Sequence, residues 1–242
     1  MTVIAGALWI LCGPDGAAAE SGVEEAWSGR HITAEQARDM EEGLIERFPD
    51  MIVRDGNILS IVGDNGTVAI FENNPCDQCD GRQLFRAIGY LESLAFIVIV
   101  EHGWEWSNKY VVHGPTGDKL RIPMAMHLSP SKQQFSAANS GDLQFGMVGV
   151  TVGHVDAAGI VVDYAYESSC YHGAEWVSED RIQLRYNLDE LHIVSSDTHK
   201  LLKECALVKP GEYDAETLEP FVWLVRESGT WQLRSNQSLT VD

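Results

Sequence analysis

Two groups of residues in this sequence have types and spacings that could do chemistry. Asn74-Pro75-Cys76-Asp77-Gln78-Cys79-Asp80 contains a C-x-x-C pair, the spacing of dithiol redox centres and of half a zinc site. His102, Trp104 and Trp106 alternate along a stretch read as a strand, with Glu101 and Glu105 on its other face. Indoles exposed beside acids can stack on sugars or hold a basic loop of a partner protein; the ordinary alternative is that both rings pack into a core. A two-residue turn at Ser107-Asn108 sets His102 opposite His113, which would begin a zinc or copper site. The third ligand is missing. His127 is nearest along the chain, and the register turns it to the opposite face. No metal or cofactor is expected.

Other catalytic patterns are lacking. The sequence has no G-x-S-x-G, no H-E-x-x-H and no phosphate-binding glycine loop. Its 36 acidic residues are too many to nominate one carboxylate pair for glycoside hydrolysis. Tyr171, His172 and Trp176 form a second aromatic group beside Cys170, and His154, His192 and His199 are scattered. No catalytic residue is assigned.

Charge narrows the partner. Of the 242 residues, 36 are acidic and 17 basic, for a net charge of −19. Such a surface repels nucleic acid and anionic lipid and favours a cation or a basic protein. The apolar run Val3 to Cys12 is too short to span a bilayer, Gly13-Pro14 breaks it, and Ala17 to Ala19 suit a signal peptidase. Residues 1–19 therefore read as a signal peptide, although no Lys or Arg precedes the apolar run. Cys12 follows Leu11, which does not suit a lipoprotein anchor. The expected location is periplasmic or secreted, with no membrane insertion after cleavage.

That compartment bears on the thiols. Cleavage after Ala19 leaves Cys76, Cys79, Cys170 and Cys205, an even number expected to form disulfides, with three possible connectivities. The redox alternative rests on order. Thr67 to Phe71 reads as a strand, the C-x-x-C follows, and Leu84, Phe85, Ile88, Leu91 and Leu94 fall at helical spacing over Arg82 to Leu94. Strand, C-x-x-C, helix is the thioredoxin order, in which the helix N-terminus lowers a thiol's pKa. Against it, Asp77 and Asp80 surround the thiols with negative charge, and few helical segments follow.

The elements that must position these residues are mostly strands. One helix is expected early: Thr33 and Gln36 form a capping box, Ala37, Met40, Leu44 and Phe48 form an apolar stripe, and Pro49 ends it. Residues 20–50 thus read as an N-terminal helical segment and 51–242 as one β domain. Strands are expected at Ile58 to Val62 and Thr67 to Phe71 around the turn Gly63 to Gly66, then at Phe96 to Val100, Tyr110 to His113 and Lys119 to Met126. Gln134 to Ala138, Gln144 to Val152, Ile160 to Tyr166, Arg181 to Tyr186, Leu191 to Val194, Cys205 to Val208, Phe221 to Val225 and Trp231 to Arg234 follow.

Ser129-Pro130-Ser131-Lys132-Gln133-Gln134-Phe135-Ser136-Ala137 resembles the SPD-x-x-x-F-x-A turn and strand of bacterial propeller blades. Trp176-Val177-Ser178-Glu179-Asp180-Arg181-Ile182 resembles a W-S-x-D-x-x-I motif that opens blade strands. More widely, Tyr90 to Ala137 is similar to exported bacterial proteins that carry a few propeller-like blades. The resemblance implies a mainly β, propeller-like fold and no activity. At about 40–45 residues per blade, four to five blades fit, few enough for the ring to stay open. The expected function is non-catalytic recognition of another protein at the cell envelope, as in an inhibitor or immunity protein. The alternatives are a thiol-disulfide oxidoreductase and a carbohydrate-binding module. Non-reducing peptide mapping separates the first two: the binding reading expects Cys76 and Cys79 in bonds that glutathione does not reduce, whereas a labile bond in the oxidoreductase range would make the protein an enzyme.

Overall fold

The structure, a computed structural model, describes residues 32–64, 66, 68–76, 81–103, 106–123, 125–139, 149–167, 171–186 and 221–234. The signal-like segment, Trp104, Cys79, Cys170, Cys205 and the strands expected at Leu191 to Val194 and Cys205 to Val208 lie outside these residues. Among the described residues, one α-helix, α1 (Ala34–Arg47), is followed by four antiparallel sheets. Sheet A is β1 (Ile52–Asp55), β2 (Ile58–Val62) and β3 (Val68–Glu72). Sheet B is β4 (Leu84–Leu91), β5 (Phe96–His102), β6 (Ser107–His113) and β7 (Lys119–Ile122). Sheet C is β8 (Ala125–Leu128), β9 (Gln134–Asn139), β10 (Gly149–Asp156) and β11 (Gly159–Tyr166). Sheet D is β12 (Tyr171–Ser178), β13 (Arg181–Tyr186), β14 (Phe221–Glu227) and β15 (Thr230–Arg234). Within every sheet the strands lie in chain order, each paired with its sequence neighbour.

The core follows from period-two burial. Ile52, Leu59, Ile61 and Phe71 of sheet A meet Ala87, Ile97, Ile99 and Val112 of sheet B. Phe96, Val111 and Ile122 on the other face of sheet B meet Met126, Phe135 and Ala137 of sheet C. Val150 and Val152 of sheet C meet Tyr171, Ile182, Leu184, Val222 and Leu224 of sheet D. Each sheet is thus covered by the next.

Helix α1 forms as its sequence predicts. Thr33 Oγ1 accepts from the Gln36 amide (3.2 Å), and Gln36 Oε1 accepts from the Thr33 amide (2.9 Å), so both members of the capping box are present. The helix packs along β4, the edge strand of sheet B. Glu41 stands within its apolar stripe and is 3% exposed. Its carboxylate accepts from Arg54 Nε (3.1 Å) and Nη2 (2.7 Å), from Arg86 Nη1 (2.8 Å) and from the Ala87 amide (3.0 Å). Arg54 Nη2 also donates to the Phe85 carbonyl at 2.7 Å. One carboxylate therefore joins α1, β1 and β4.

Three expectations change. The segment expected as a helix over Arg82 to Leu94 is β4 followed by a 3-10 turn, Glu92–Leu94. A bulge between Ala87 and Gly89 shifts the alternation by one residue, so one face carries Phe85, Ala87 and Tyr90 and the other carries Ile88 and Leu91. A bulged strand thereby imitates helical spacing. Second, the strand expected from Lys119 to Met126 divides at Pro123 into β7 and β8, which belong to different sheets. Third, Ser107 and Asn108 begin β6, with Ser107 paired to His102, and the Gly103 amide donates to the Trp106 carbonyl at 2.8 Å.

Replacing Glu41 with Ala leaves two partly buried guanidinium groups without their carboxylate. The expected loss is about 3–5 kcal/mol of stability, read as a lower urea midpoint. A change below ~1 kcal/mol would show that the cluster is not an anchor.

Candidate functional site

Of the three residues singled out for binding, Trp104 lies outside the described residues, and His102 and Trp106 fall on either side of the β5–β6 connection, not along one strand. His102 is the last residue of β5, 8% exposed, and pairs with Ser107. His113 pairs instead with Phe96 at the far end of the same two strands, so these histidines do not face one another. Trp106 folds back over Gly103, its indole filling the place a Cβ would occupy, so only glycine fits at 103. Glu101, on the strand face opposite His102, is 3% exposed. Its carboxylate accepts from Gln83 Nε2 (3.1 Å), Asn108 Nδ2 (2.9 Å) and Tyr110 Oη (3.0 Å). Burial and the neighbouring Glu101 carboxylate push the Tyr110 phenol up to about 12, so this network stays hydrogen-bonded at neutral pH. Behind it on the opposite face of β6, Lys109 is 1% exposed, and burial lowers its pKa to about 8.

Of the second aromatic group, Tyr171 and Trp176 pack in the core. Tyr171 and Trp176 lie between sheets C and D, where the Trp176 ring meets Trp231 edge-on at 5.8 Å and Trp176 Nε1 donates to the His127 carbonyl at 3.2 Å. Cys76 is disulfide-bonded. Among the described residues, no three His, Cys, Asp or Glu side chains gather as a metal-binding group.

A different site is assembled by the turns. The β2–β3, β4–β5, β6–β7, β8–β9, β10–β11, β12–β13 and β14–β15 turns collect at one end of the sheets. Gly63 abuts the carbonyls of Gly114 and Pro115, and Gly159 (φ +132°) abuts the Asp118 side chain. Glu179 accepts from the Ser131 amide (2.5 Å) and hydroxyl (3.0 Å) and from Gln134 Nε2 (3.2 Å). These contacts link sheet A to B, B to C and C to D around a continuous rim. The two motifs that resemble propeller turns meet in the last of them: Ser129 to Phe135 on sheet C and Ser178 to Ile182 on sheet D.

Among the turns of sheets B, C and D lies a cleft of about 480 Å³, lined by Glu92 to Ala95, His113, Gln133, Gln134, His154, Val155 and Arg226. His154 Nδ1 lies 2.8 Å from Asp163 Oδ2, and His113 Nδ1 lies 2.8 Å from Thr116 Oγ1. Burial holds His113 below the ordinary histidine range, opposed by the carboxylates of Asp118 and Asp64. Arg226 Nη1 lies 3.5 Å from Gln134 Oε1, with its guanidinium 6.0 Å from the Trp231 ring. The cleft therefore carries one fixed cation and two imidazoles. At this end of the sheets, Asp64, Glu92, Asp118, Asp156, Asp180 and Glu227 are all exposed, one on each turn of the rim except β8–β9. Hydrogen bonds from Ser131, Ser129 and Gln134 hold Glu179 below the usual carboxylate range, and Arg234 does the same for Glu227.

No family model matches this chain, and no curated protein or solved structure matches it either. The site rests on its own geometry. Sequence reasoning missed Glu92, Gln133, Gln134, His154, Asp163 and Arg226 as a group, because they come from three sheets. One local signal was readable: a hairpin at Asp156 to Gly159 sets His154 opposite Val161, and Asp163, two residues on, shares that face.

A histidine depressed in the folded state takes up its proton more readily when unfolded. His113 thus contributes stability that is present above the unfolded value of about 6.5 and is lost as pH falls toward its folded value. Urea midpoints should fall between pH 7.5 and 6, and His113→Gln should flatten that slope. An unchanged slope in the variant would remove His113 from this role.

Proposed function

We propose that this protein is an exported, non-catalytic recognition protein whose acidic rim binds a basic partner protein at the cell envelope. The observation that carries this reading is the rim itself. Six turns from four sheets each bring an exposed carboxylate to one end of the molecule, beside a cleft that can receive a protruding side chain. Carboxylates gathered on one face raise the encounter rate with a cationic partner and repel nucleic acid. Export is supported by the leader-like segment of the sequence, and an inhibitor or immunity role is the concrete form: the rim occupies the partner's basic surface.

We also read the four sheets as blades of an open propeller. Successive antiparallel meanders, each packed face to face on the next, support that reading. The oxidoreductase alternative loses its main argument, since a strand and not a helix follows the C-x-x-C. The carbohydrate alternative loses one of its platforms, since Trp106 is folded onto Gly103.

A basic peptide such as oligolysine serves as probe. Neutralising Glu92, Asp118 and Asp156 to Gln, Asn and Asn should weaken its binding at least tenfold and reduce the salt dependence. Neutralising Glu35, Asp39 and Glu42 on the outer face of α1 should change it less than twofold. Equal losses from the two triplets would mean that net charge, and not the rim, does the binding.

A further inference from the structure

The cleft among the turns of sheets B, C and D carries a fixed positive charge in a chain whose net charge is −19. That charge belongs to Arg226 on β14. Among the described residues the arginine ion pairs engage Arg38, Arg54, Arg86, Arg185 and Arg234, and Arg226 is in none of them. What its guanidinium reaches is uncharged: Gln134 Oε1 at 3.5 Å, and the Trp231 ring 6.0 Å away. Gln134 is itself held, because its Nε2 donates to Glu179 Oε2 at 3.2 Å. The guanidinium is therefore positioned without being neutralised, and one long contact commits at most one of its donors.

The rest of the lining suits an organic anion. His113 Nδ1 lies 2.8 Å from Thr116 Oγ1, which accepts from the Asp118 amide at 3.3 Å and has its own hydrogen to give. A neutral imidazole that accepts at Nδ1 carries its proton on Nε2 and donates there. His154 Nδ1 is engaged by Asp163, which leaves Nε2 as the nitrogen that can meet a ligand. Leu94, Ala95 and Val155 add apolar wall. Donors and apolar groups together in about 480 Å³ have the make-up and size of a small-molecule site.

We propose that this cleft binds a monocarboxylate with an apolar body, its carboxylate on Arg226 and its body against Leu94, Ala95 and Val155. Charge decides the class. A carboxylate matches the parallel donors of a single guanidinium. A phosphate brings nearly two negative charges at neutral pH, against one fixed cation and with Glu92 on the same lining. A cationic ligand would meet Arg226 itself. Size decides the body, since a carboxylate alone leaves most of the cleft unfilled. A free organic acid and the C-terminal residue of a peptide present the same group. The inference does not depend on the acidic rim, and it stands even if the rim binds nothing.

Calorimetric titration of the full chain with hexanoate tests this. Tryptophan fluorescence is a second readout, because Trp231 lies near the guanidinium. Saturable binding at one site per chain is expected, at least about tenfold weaker for hexanamide and for inorganic phosphate. Arg226→Gln should weaken hexanoate by at least about tenfold with an unchanged circular dichroism spectrum. Arg185→Gln, outside the cleft, should change it less than about twofold. The hexanamide and phosphate comparisons use the unaltered protein, so they decide the matter even if a variant misfolds. A short peptide ending in leucine, with its C-terminus free or amidated, separates the sources. Tighter binding of the free peptide than of hexanoate assigns a protein C-terminus, and the reverse assigns a free acid. Saturable binding of neither overturns the proposal. Equal binding of hexanamide or phosphate, or equal losses from the two arginine changes, overturns it too. Oligolysine binding, which reports on the rim, should survive Arg226→Gln, so the two readings fail separately.

Discussion

A sheet of three or four short strands cannot stand alone in water, because half of its side chains need a cover. In this protein the cover is another sheet or, over Ile88, Val98 and Val100 of sheet B, helix α1. Phe96 and Ile97 are neighbours on β5, yet they belong to different cores, one shared with sheet C and the other with sheet A. Strand β5 is buried along its whole length for that reason. The turns follow from this constraint. Sheets packed face to face bring their ends together, and Gly63 and Gly159 stand where a side chain would force neighbouring turns apart.

The rim therefore comes from stacking and not from a local motif. Glu179 shows how this works: its own strand has no need of a carboxylate there, and all its close partners lie on the neighbouring sheet's turn. The same is true of the cleft, where Arg226 of sheet D reaches Gln134 of sheet C. Groups held this way are prearranged, so a ligand entering the cleft meets side chains whose rotamer entropy has already been lost.

The sequence disclosed most of what is local. The Thr33–Gln36 capping box, the Gly63 to Gly66 hairpin and the strands beginning at Phe96, Gln134 and Arg181 are legible because caps, turns and alternation act within a few residues. It concealed what depends on register. The bulge at Ala87 made a strand scan as a helix, and Gly103, needed to admit the Trp106 ring, outweighed Ser107-Asn108 as a turn. Glu41 was readable in principle, since helical spacing from Ala37 sets it among Leu44 and Phe48 on the apolar stripe. A carboxylate in that position announces a buried cation, but only the fold says that Arg54 and Arg86 supply it. The candidate cleft was the least legible part, because its groups are spread along the chain from Glu92 to Arg226.

The Glu41 cluster also bears on the order in which the chain organises itself. The helix that carries this carboxylate is made before either of its arginines, which follow 13 and 45 residues later. Until β4 has paired and reached it, α1 is a short amphipathic segment with a charge in its apolar stripe, and such a segment gains little by settling anywhere. Its docking thus reports completion of sheets A and B. During synthesis, α1 would emerge before the strands it docks on and lock only after them, and it would remain open to a chaperone or protease for that interval.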